Sequence, residues 1–511
     1  MEIVLALDQG SSSSRTLAMD LKGSVQAKVQ SPVVATYPRD GWVEFSPQAL
    51  LQSQTETMEA VLRSLPKRAV VVAAGLACQR STVIFWDAKT GRPVGKAISW
   101  QDRRAAALCE GLSRHAEDIH LRTGLLLNPF YSLGKILWVL EHDKKVRDLL
   151  QKGRLRIGPV ATFLLWHMTR GEVYAVDPTL AQRMLLLNIS KLEWDPRLLK
   201  LAGVPRESLP RVQDSAGFWC EVKVGGRKIP FWAVLGDQQA AALGLGVDRK
   251  GETAANYGTG AFLMHHIGDK PRHVPGLLCS VALKEKKGAH YFLEGTVNAA
   301  GTSVEWLRQR LGIKFRDDDL DGLYSRSTHR VISLLAFGGL GAPRWDTRVL
   351  SGFFGMKPTT GPQDLVRGTL DSIAFLISDI ADAMREAGLE IRDVRVSGGL
   401  SRVDGLLQIQ SDLLQLPLTR FGQTEATALG VASLAARAAG VGFEVPLRPE
   451  RTFRPSITPS EAERLNRCWR AFVEGIQSLS RDPRVFEALL EWQEIFPGRE
   501  GNAQRRGAKR S

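Results

Sequence analysis

The chain has 511 residues, too many for one ordinary domain, and 44% of them are hydrophobic, which is enough to bury large cores. No apolar run approaches the roughly 20 residues of a membrane span, and the Met1-Glu2-Ile3 start lacks the basic segment of a secretory signal. Five widely spaced cysteines form no Cys-x-x-Cys pair, which argues against a disulfide framework or a zinc site. The sequence therefore predicts a cytoplasmic protein of about two or three domains.

The formal net charge of +14 raises the question of nucleic-acid binding. Lysines and arginines are spread along the chain with one dense cluster at the extreme C-terminus, and no zinc-finger, RNP-type or heptad pattern accompanies them. A basic surface also suits an enzyme whose ligands are polyanions, because it raises their local concentration. Neither a nucleic-acid partner nor membrane association is expected.

The opening residues predict a hairpin of two buried strands joined by a phosphate-binding loop. The apolar run 3–7 ends in Asp8-Gln9-Gly10-Ser11-Ser12-Ser13-Ser14-Arg15, and a second apolar run, 16–19, follows. Gly10 lets the backbone approach a ligand closely, so that successive N–H groups and serine hydroxyls can bind phosphate oxygens. Asp8 is placed to hold Mg²⁺ through water, and Arg15 to offset phosphate charge. An ordinary polar turn is the alternative that these residues leave open.

The next segment combines one helix with three short buried strands. The helix is predicted from the N-cap Ser46 to about residue 63, and the strands over residues 69–77, 83–86 and 97–100. Ligands collect at strand ends in α/β sheets. Arg80, Trp100 and Asp102 are therefore candidates for a pocket, although each one alone is equally explained as a surface or packing residue.

An acidic residue marks the end of a later strand. Helices are predicted over residues 103–170 with a break at 128–132, and the strand 231–235 stops at Gly236-Asp237-Gln238-Gln239 before an apolar helix start. A carboxylate between a strand and a helix is well placed to face a ligand. Asp237 is thus a candidate functional residue.

Residues 253–264 repeat the design of the opening hairpin. A small apolar strand leads through the turn Tyr257-Gly258-Thr259-Gly260 into a second apolar strand, and a further strand, 394–396, runs into Ser397-Gly398-Gly399. Two halves that each begin with such a hairpin predict a duplicated, two-lobed ATPase with nucleotide in the central cleft. The competing signatures G-x-x-x-x-G-K-[ST] and G-x-G-x-x-G after a strand are missing.

Several ordered motifs resemble those of the FGGY family of carbohydrate kinases, which belongs to the actin-like ATPase superfamily. The run Phe130-x-Ser132-x-x-Lys135-Ile136-x-Trp138-Val139-x-Glu141-His142 fits the first family signature in full. Residues 351–371 fit the second signature except at Gly368, where Ala or Ser is usual. The resemblance covers roughly residues 1–440. It implies an α/β, two-lobed actin-like (ribonuclease H-like) ATPase fold of duplicated domains with a central cleft.

The same resemblance suggests how the chain is divided. Residues 1–247 would form an N-terminal kinase domain with the polyol pocket, and residues 248–440 a C-terminal kinase domain that binds nucleotide. A helical extension, 441–496, would follow, and the basic tail 497–511, whose apolar content amounts to two alanines, is expected to be disordered. A homodimer or a homotetramer is compatible with this organisation.

The resemblance also implies an ATP- and Mg²⁺-dependent kinase of a small polyol, with glycerol as the leading acceptor. Asp237 would be the general base on the acceptor hydroxyl, and Asp8 would hold Mg²⁺. The acceptor pocket would be lined by Arg80, Ser81, Trp100, Phe130, Asp237, Gln238 and Phe262. The nucleotide would be held by Ser11, Ser12, Ser13, Arg15, Thr259, Gly301, Glu305, Gly398 and Gly399.

Three departures from the glycerol-phosphorylating members of the family bear on these expectations. Ser81 stands where they carry Glu, and Phe130 stands where they carry Tyr, although Tyr131 is adjacent. The Gly-rich turn used in some of them for regulation by sugar phosphates is shortened to residues 224–228. The first two departures leave open a four- or five-carbon polyol or ketose as the better acceptor.

A rival interpretation from a different class is a non-catalytic actin-like ATPase that serves as a filament or chaperone module. Asp237 at a strand end beside a pocket of Arg80 and Trp100 speaks against it, because a filament needs no acceptor site.

Overall fold

The computed structural model describes residues 1–422 and 425–495, which form two large β-sheets flanked by helices, together with one four-stranded and three two-stranded sheets. The strands of the first half are β1 (Glu2–Gln9), β2 (Ser13–Met19), β3 (Val25–Pro32), β4 (Glu44–Phe45), β5 (Val70–Cys78), β6 (Val83–Asp87), β7 (Ala97–Ile98), β8 (Leu155–Pro159), β9 (Ala175–Val176), β10 (Leu187–Asn188), β11 (Glu193–Trp194), β12 (Arg211–Val212), β13 (Ala216–Val224) and β14 (Arg227–Gly236). Those of the second half are β15 (Thr253–Tyr257), β16 (Ala261–Gly268), β17 (Leu278–Glu285), β18 (Gly288–Val297), β19 (Ile332–Leu334), β20 (Gly352–Phe354), β21 (Val394–Ser397), β22 (Leu418–Phe421) and β23 (Pro449–Phe453).

The α-helices connect and cover these strands. They are α1 (Pro47–Ser64), α2 (Ala106–Gly111), α3 (Ala116–Thr123), α4 (Ser132–His142), α5 (Lys144–Gln151), α6 (Val160–Met168), α7 (Pro178–Gln182), α8 (Pro196–Ala202), α9 (Asp237–Gly244), α10 (Gly301–Gln309), α11 (Leu320–Arg326), α12 (Pro362–Glu386), α13 (Asp404–Leu414), α14 (Ala426–Ala438), α15 (Pro459–Arg481) and α16 (Pro483–Ile495). No helix among the described residues is both long and apolar enough to cross a membrane. The predicted basic tail, 497–511, lies outside the described residues.

The two large sheets share one topology. The first has the order β13-β14-β5-β1-β2-β3 and the second the order β17-β18-β16-β15-β21-β22-β23. In each sheet an antiparallel hairpin, β1–β2 or β15–β16, supplies the central strand. On its other side, this central strand pairs in parallel with β5 in the first sheet and with β21 in the second. Both predicted phosphate hairpins are therefore present, and the predicted duplication is confirmed.

The central strands of the first sheet, β1, β2 and β5, are buried on both faces because they are almost continuously apolar. In β1 every residue after Glu2 is buried. Helix α1 covers one face and begins as predicted, with the Ser46 hydroxyl accepting a hydrogen bond from the Ala49 N–H. Helix α14 covers the other face, where Val431 and Ala432 pack in one cluster with Ala6 and Leu235.

Helix α14 follows the last parallel strand of the second sheet but packs on the first sheet. We therefore call the first sheet with α1–α9 and α14 the first lobe, and the second sheet with α10–α13 and α15 the second lobe. Glu425, immediately before α14, lies next to the opening hairpin, where it pairs with Arg15.

Three local predictions were wrong. Strand β7 ends at Ile98, so Trp100 lies in the following turn, where its N–H is bonded to the Thr82 hydroxyl instead of to a strand. Strand β8 interrupts the predicted helical region because it pairs with β6. The extension after residue 440 contains β23, which pairs with the edge strand β22, so it is not wholly helical. Only Phe453 of β23 is buried, which left no apolar alternation to indicate a strand.

Candidate active site

The opening hairpin places a carboxylate and a guanidinium group opposite each other. Asp8 on β1 pairs with Arg15 on β2, and Arg15 Nε lies 4.0 Å from Asp8 Oδ2. The Gly10 N–H donates to the Ser13 carbonyl at 3.0 Å, which closes the loop tightly. The Ser13 hydroxyl accepts a hydrogen bond from Arg15 Nε at 3.3 Å, whereas Ser12 is exposed.

Asp8 lies in a concentration of negative charge. Burial raises the pKa of its carboxyl to about 7, Arg15 opposes that rise, and the carboxylates Asp237 and Glu425 add to it. Ionisation of a buried carboxyl group is costly when the group stands alone, but a bound cation makes it favourable. Asp8 therefore fits the role of a cation ligand.

Glu425 is a site residue that the sequence did not indicate. Its carboxylate accepts a hydrogen bond from Arg15 Nη1 at 3.3 Å and also forms an ion pair with Lys28. The charge of Arg15 is thus shared between Asp8 and Glu425. Glu425 lies directly before an apolar helix and belongs to no recognisable motif, so no local sequence pattern indicates that it is a site residue.

A cavity of about 1360 Å³ lies between the lobes and contains much of the predicted nucleotide set. The predicted residues that line it are Asp8, Arg15, Thr259, Gly301, Glu305, Gly398 and Gly399. The predicted residues Ser11, Ser12 and Ser13 are not among its lining residues. The cavity extends past Arg15 to the start of α14 and joins elements of both lobes.

Backbone contacts hold the cavity wall together. The Thr259 carbonyl accepts hydrogen bonds from the N–H groups of Ala300 and Thr302, which fixes the second hairpin to the start of α10. Gly398 has a φ of +97°, and a Cβ there would lie 2.4 Å from the Tyr257 carbonyl oxygen. Only glycine allows the turn after β21 to pack this closely on the second hairpin.

The strand β14 and helix α9 present Asp237 as the sequence predicted. Asp237 is the first residue of α9, and its Oδ1 lies 3.4 Å from Arg80 Nε, at the end of β5. Burial raises the pKa of the Asp237 carboxyl, and Arg80 and the Gln238 N–H partly offset this rise. A partly exposed carboxylate with a raised pKa is suited to accept a proton from a hydroxyl.

The two positions that depart from the family pattern are held by one lysine. Ser81 has a φ of +64°, and its carbonyl accepts a hydrogen bond from Lys135 Nζ at 3.2 Å. The same Nζ donates to the Phe130 carbonyl at 2.7 Å. Lys135 is fully buried and thus fixes both backbone segments relative to each other.

Gln79 connects the turn that carries Arg80 with the opening hairpin. Its Nε2 donates to the Gly10 carbonyl at 2.9 Å, and its Oε1 accepts from the Thr82 hydroxyl. Thr82 in turn binds the N–H of Trp100 at 3.1 Å. The turn that carries Arg80 and the hairpin loop are therefore one hydrogen-bonded unit, a link that the sequence did not indicate.

Glu294 and Arg183, which the sequence did not indicate, lie around Arg80 together with Tyr131, the neighbour of Phe130. Glu294 Oε2 lies 3.9 Å from Arg80 Nη1, and Glu294 Oε1 accepts a hydrogen bond from Arg183 Nη2 at 2.6 Å. The Tyr131 ring faces the guanidinium of Arg183, whose Cζ lies 6.0 Å from the ring centroid. Glu294 lies in the apolar strand Tyr291-Phe292-Leu293-Glu294, and a charge in such a strand was the available signal.

The register of the second sheet places Phe262 relative to Glu294. Phe262 lies opposite Thr296, and Met264 lies opposite Glu294, in the antiparallel pair β16–β18. Directly opposite residues share a sheet face, so Phe262 and Glu294 lie on the same face. That face is the one that meets Arg80 of the first lobe.

Comparison with protein-family models gives two matches. Residues 3–244 match the N-terminal domain of the FGGY family of carbohydrate kinases, and residues 253–439 match its C-terminal domain. Together the two matches include every predicted acceptor, nucleotide and metal residue.

Individual relatives match over nearly their whole length. A glycerol kinase of Alkalilimnicola ehrlichii is 39% identical over 493 residues, covering 94% of this chain and 100% of that protein. A glycerol kinase of Thermus brockianus is 40% identical over 489 residues, covering 93% of this chain and 98% of that protein. The structure of Plasmodium falciparum glycerol kinase with ADP superposes with a TM-score of 0.87 at 27% identity, covering 93% of this chain and 98% of the other.

Proposed function

The chain belongs to the FGGY family of carbohydrate kinases, and we propose that it transfers the terminal phosphoryl group of ATP to glycerol, forming sn-glycerol 3-phosphate. The observation that carries this proposal is the Asp237–Arg80 pair, which follows strands β14 and β5, whose ends lie beside the end of β1 that places Asp8 on the wall of the interlobe cavity. The extended similarity to the glycerol kinases above supports glycerol as the acceptor.

Asp237 acts as the general base in the proposed reaction. Its carboxylate takes the proton of the acceptor hydroxyl while the hydroxyl oxygen forms a bond to the γ-phosphorus of ATP. The bond from that phosphorus to the β–γ bridging oxygen breaks, and ADP leaves with the electron pair. Positioning and charge neutralisation dominate phosphoryl transfer, so the fixed Asp237–Arg80 geometry is the contribution of this chain.

Asp8 is the residue that would hold Mg²⁺ with the nucleotide. No group of three or more His, Cys, Asp or Glu side chains in the described part of the chain is arranged to hold a metal ion. Mg²⁺ does not need such a cage, because it commonly binds one or two carboxylates together with substrate phosphates and water. The negative charge around Asp8 fits this donor set. When bound, Mg²⁺ supplies neutralisation of the phosphate charge.

A coupled assay of ADP release tests the proposal. Purified full-length protein would be given ATP, Mg²⁺ and glycerol, erythritol, ribitol or xylulose in turn, with Asp237→Asn as the inactive control. We expect ADP release that depends on glycerol and is lost in the control. ADP release that no acceptor stimulates would overturn the proposal in favour of a non-catalytic ATPase module.

A longer polyol or a ketose is the second candidate acceptor. Ser81 and Phe130 support it, because together they remove a carboxylate and a hydroxyl relative to the glycerol-phosphorylating pattern. A smaller side chain at position 81 also leaves more room for the acceptor. The same assay separates the candidates through their kcat/KM values.

A further inference from the structure

Four charged side chains of alternating sign form a line from the protein interior to the acceptor site. The spatial order along this line is Arg183, Glu294, Arg80 and Asp237, with successive N–O distances of 2.6, 3.9 and 3.4 Å. Their side chains are 4%, 2%, 12% and 29% exposed in that order. The line therefore begins in the core and ends at the carboxylate that faces the acceptor.

The line crosses the boundary between the lobes. Arg80 follows β5 and Arg183 follows α7, both in the first lobe, whereas Glu294 lies on β18 of the second lobe. Among the described residues, Glu294 and Asp237 are the carboxylates within ion-pair distance of Arg80. Glu294 is thus the charge through which the second lobe acts on the acceptor side of the first.

Neighbouring contacts make this boundary rigid at Arg183. The Arg183 guanidinium also donates to the Ser280 hydroxyl on β17 at 2.8 Å. Next to it, Gln182 Nε2 donates to the Cys279 carbonyl, and Gln182 Oε1 accepts from the Val281 N–H. Glu294 is therefore anchored firmly on one side and can hold Arg80 on the other.

The contact between Glu294 and Arg80 is electrostatic and lacks a hydrogen bond. Arg80 Nη1 and Glu294 Oε2 are both buried and have no hydrogen-bond partner. If Glu294 lost its charge, Asp237 would be the remaining carboxylate partner of Arg80. The Arg80–Asp237 contact, which is 3.4 Å long, would then shorten to a direct hydrogen bond and occupy the carboxylate that the acceptor hydroxyl needs.

We propose that Glu294 is a positioning residue that shares the Arg80 guanidinium with Asp237 across the lobe boundary and limits the Arg80–Asp237 contact to 3.4 Å, so that the acceptor site is complete only when the second lobe is docked on the first. This inference rests on the proposed kinase function. Glu294 acts through Arg80 and touches neither the acceptor nor the nucleotide.

Steady-state kinetics of Glu294→Gln test the inference. The amide keeps the size and the oxygen that accepts from Arg183 but removes the charge. We expect kcat/KM for glycerol to fall at least tenfold while KM for ATP stays within about twofold. Glu294→Asp keeps the charge with a shorter reach and should recover part of the loss.

A matched control separates positioning from folding. Asp379 is another buried second-lobe carboxylate, 2.5 Å from Arg344 and bonded to Trp469, and it has no part in the site. Asp379→Asn should lower the melting temperature and leave kcat/KM for glycerol unchanged. If Glu294→Gln behaves in the same way, with lower stability and unaltered kcat/KM, Glu294 is merely structural and the inference is wrong.

A double substitution shows whether Glu294 acts through Arg80. In Arg80→Gln the loss from Glu294→Gln should largely disappear, because the group being positioned is already absent. Losses that multiply would show that the two residues act independently and would overturn the inference. A wild-type protein that phosphorylates no acceptor would instead refute the proposed function, so the two failures are distinguishable.

Discussion

Gly430 of α14 crosses Ala240 of α9 so closely that a Cβ on Gly430 would lie 1.8 Å from the Ala240 carbonyl oxygen. The reciprocal contact joins Gly244 of α9 and Ala426 of α14, where a Cβ would again lie 1.8 Å from a carbonyl oxygen. Asp237 begins α9 and Glu425 precedes α14. The glycine crossing therefore sets the separation of the elements that carry two carboxylates of the site.

Gly430→Ala should destabilise the protein because the helices must separate to admit a methyl group. Overpacking of a tight core typically costs about 1–3 kcal/mol, and we expect a clear fall in melting temperature. Gly475 lies in an exposed part of α15 with no atom within 4 Å of its added Cβ. Gly475→Ala is the matched control and should leave stability unchanged or raise it slightly. Equal effects of the two substitutions on the melting temperature would show that α9 and α14 are not tightly packed at Gly430.

Asp237→Asn should nearly abolish turnover while leaving nucleotide binding intact. The amide keeps the shape but cannot accept the proton, and general-base assistance typically contributes about 10²–10⁴-fold. Turnover can be measured by ADP release and ATP binding by calorimetry. A variant that keeps more than about a tenth of wild-type turnover would exclude the base role.

The family departures at positions 81 and 130 predict weak glycerol binding. A hydrogen bond to a charged group is worth about 1.5–3 kcal/mol and a neutral one about 1 kcal/mol. We therefore expect a high KM for glycerol, and Ser81→Glu with Phe130→Tyr should raise kcat/KM for glycerol at least about tenfold. A low micromolar KM in the wild type, with longer polyols inert, would contradict this prediction.

Tyr131 should supply the hydroxyl that Phe130 lacks. Its ring lies 6.0 Å from the Arg183 guanidinium, next to Glu294, so Tyr131→Phe should lower kcat/KM for glycerol about fivefold, the equivalent of one neutral hydrogen bond. Phe130→Tyr alone should then change kcat/KM little. If Tyr131→Phe is silent and Phe130→Tyr alone improves the enzyme, Tyr131 has no such role.

Three buried histidines predict acid sensitivity of the fold. Burial lowers the pKa values of His120, His265 and His266 to about 4, from about 6.5 in the unfolded chain. Between these values the unfolded state binds protons that the folded state does not, so the free energy of unfolding falls as pH drops from about 6.5 to about 4.

Urea titrations over that pH range measure this effect. Each histidine contributes up to about 1.4 kcal/mol per pH unit. His265, whose Nδ1 is bonded to the Thr253 hydroxyl, is the position to test: His265→Gln should reduce the pH slope. The same substitution at the exposed His142 is the control and should not change it. A slope that His265→Gln leaves unaltered would assign the acid sensitivity to other groups.

Local patterns in the sequence were sufficient to predict the elements that carry the candidate site residues. Apolar runs ending in Gly and hydroxyl residues predicted both hairpins, and an acid between a strand and a helix predicted Asp237. These features depend on neighbouring residues, since strand burial and turn chemistry are decided within a few positions along the chain. The same reasoning failed at β23, because only one of its residues is buried and the sequence there shows no alternation of apolar and polar residues.

The tertiary structure alone decided which charges meet. Glu294 reaches Arg80 from the other lobe, Glu425 binds Arg15, and α14 returns to the first sheet through a glycine crossing. Each of these contacts joins segments far apart in the chain, and no spacing rule links their residues. Their proximity results from how the buried faces of two sheets and two helices pack, which is why a lone charge in an apolar strand became interpretable only in the folded protein.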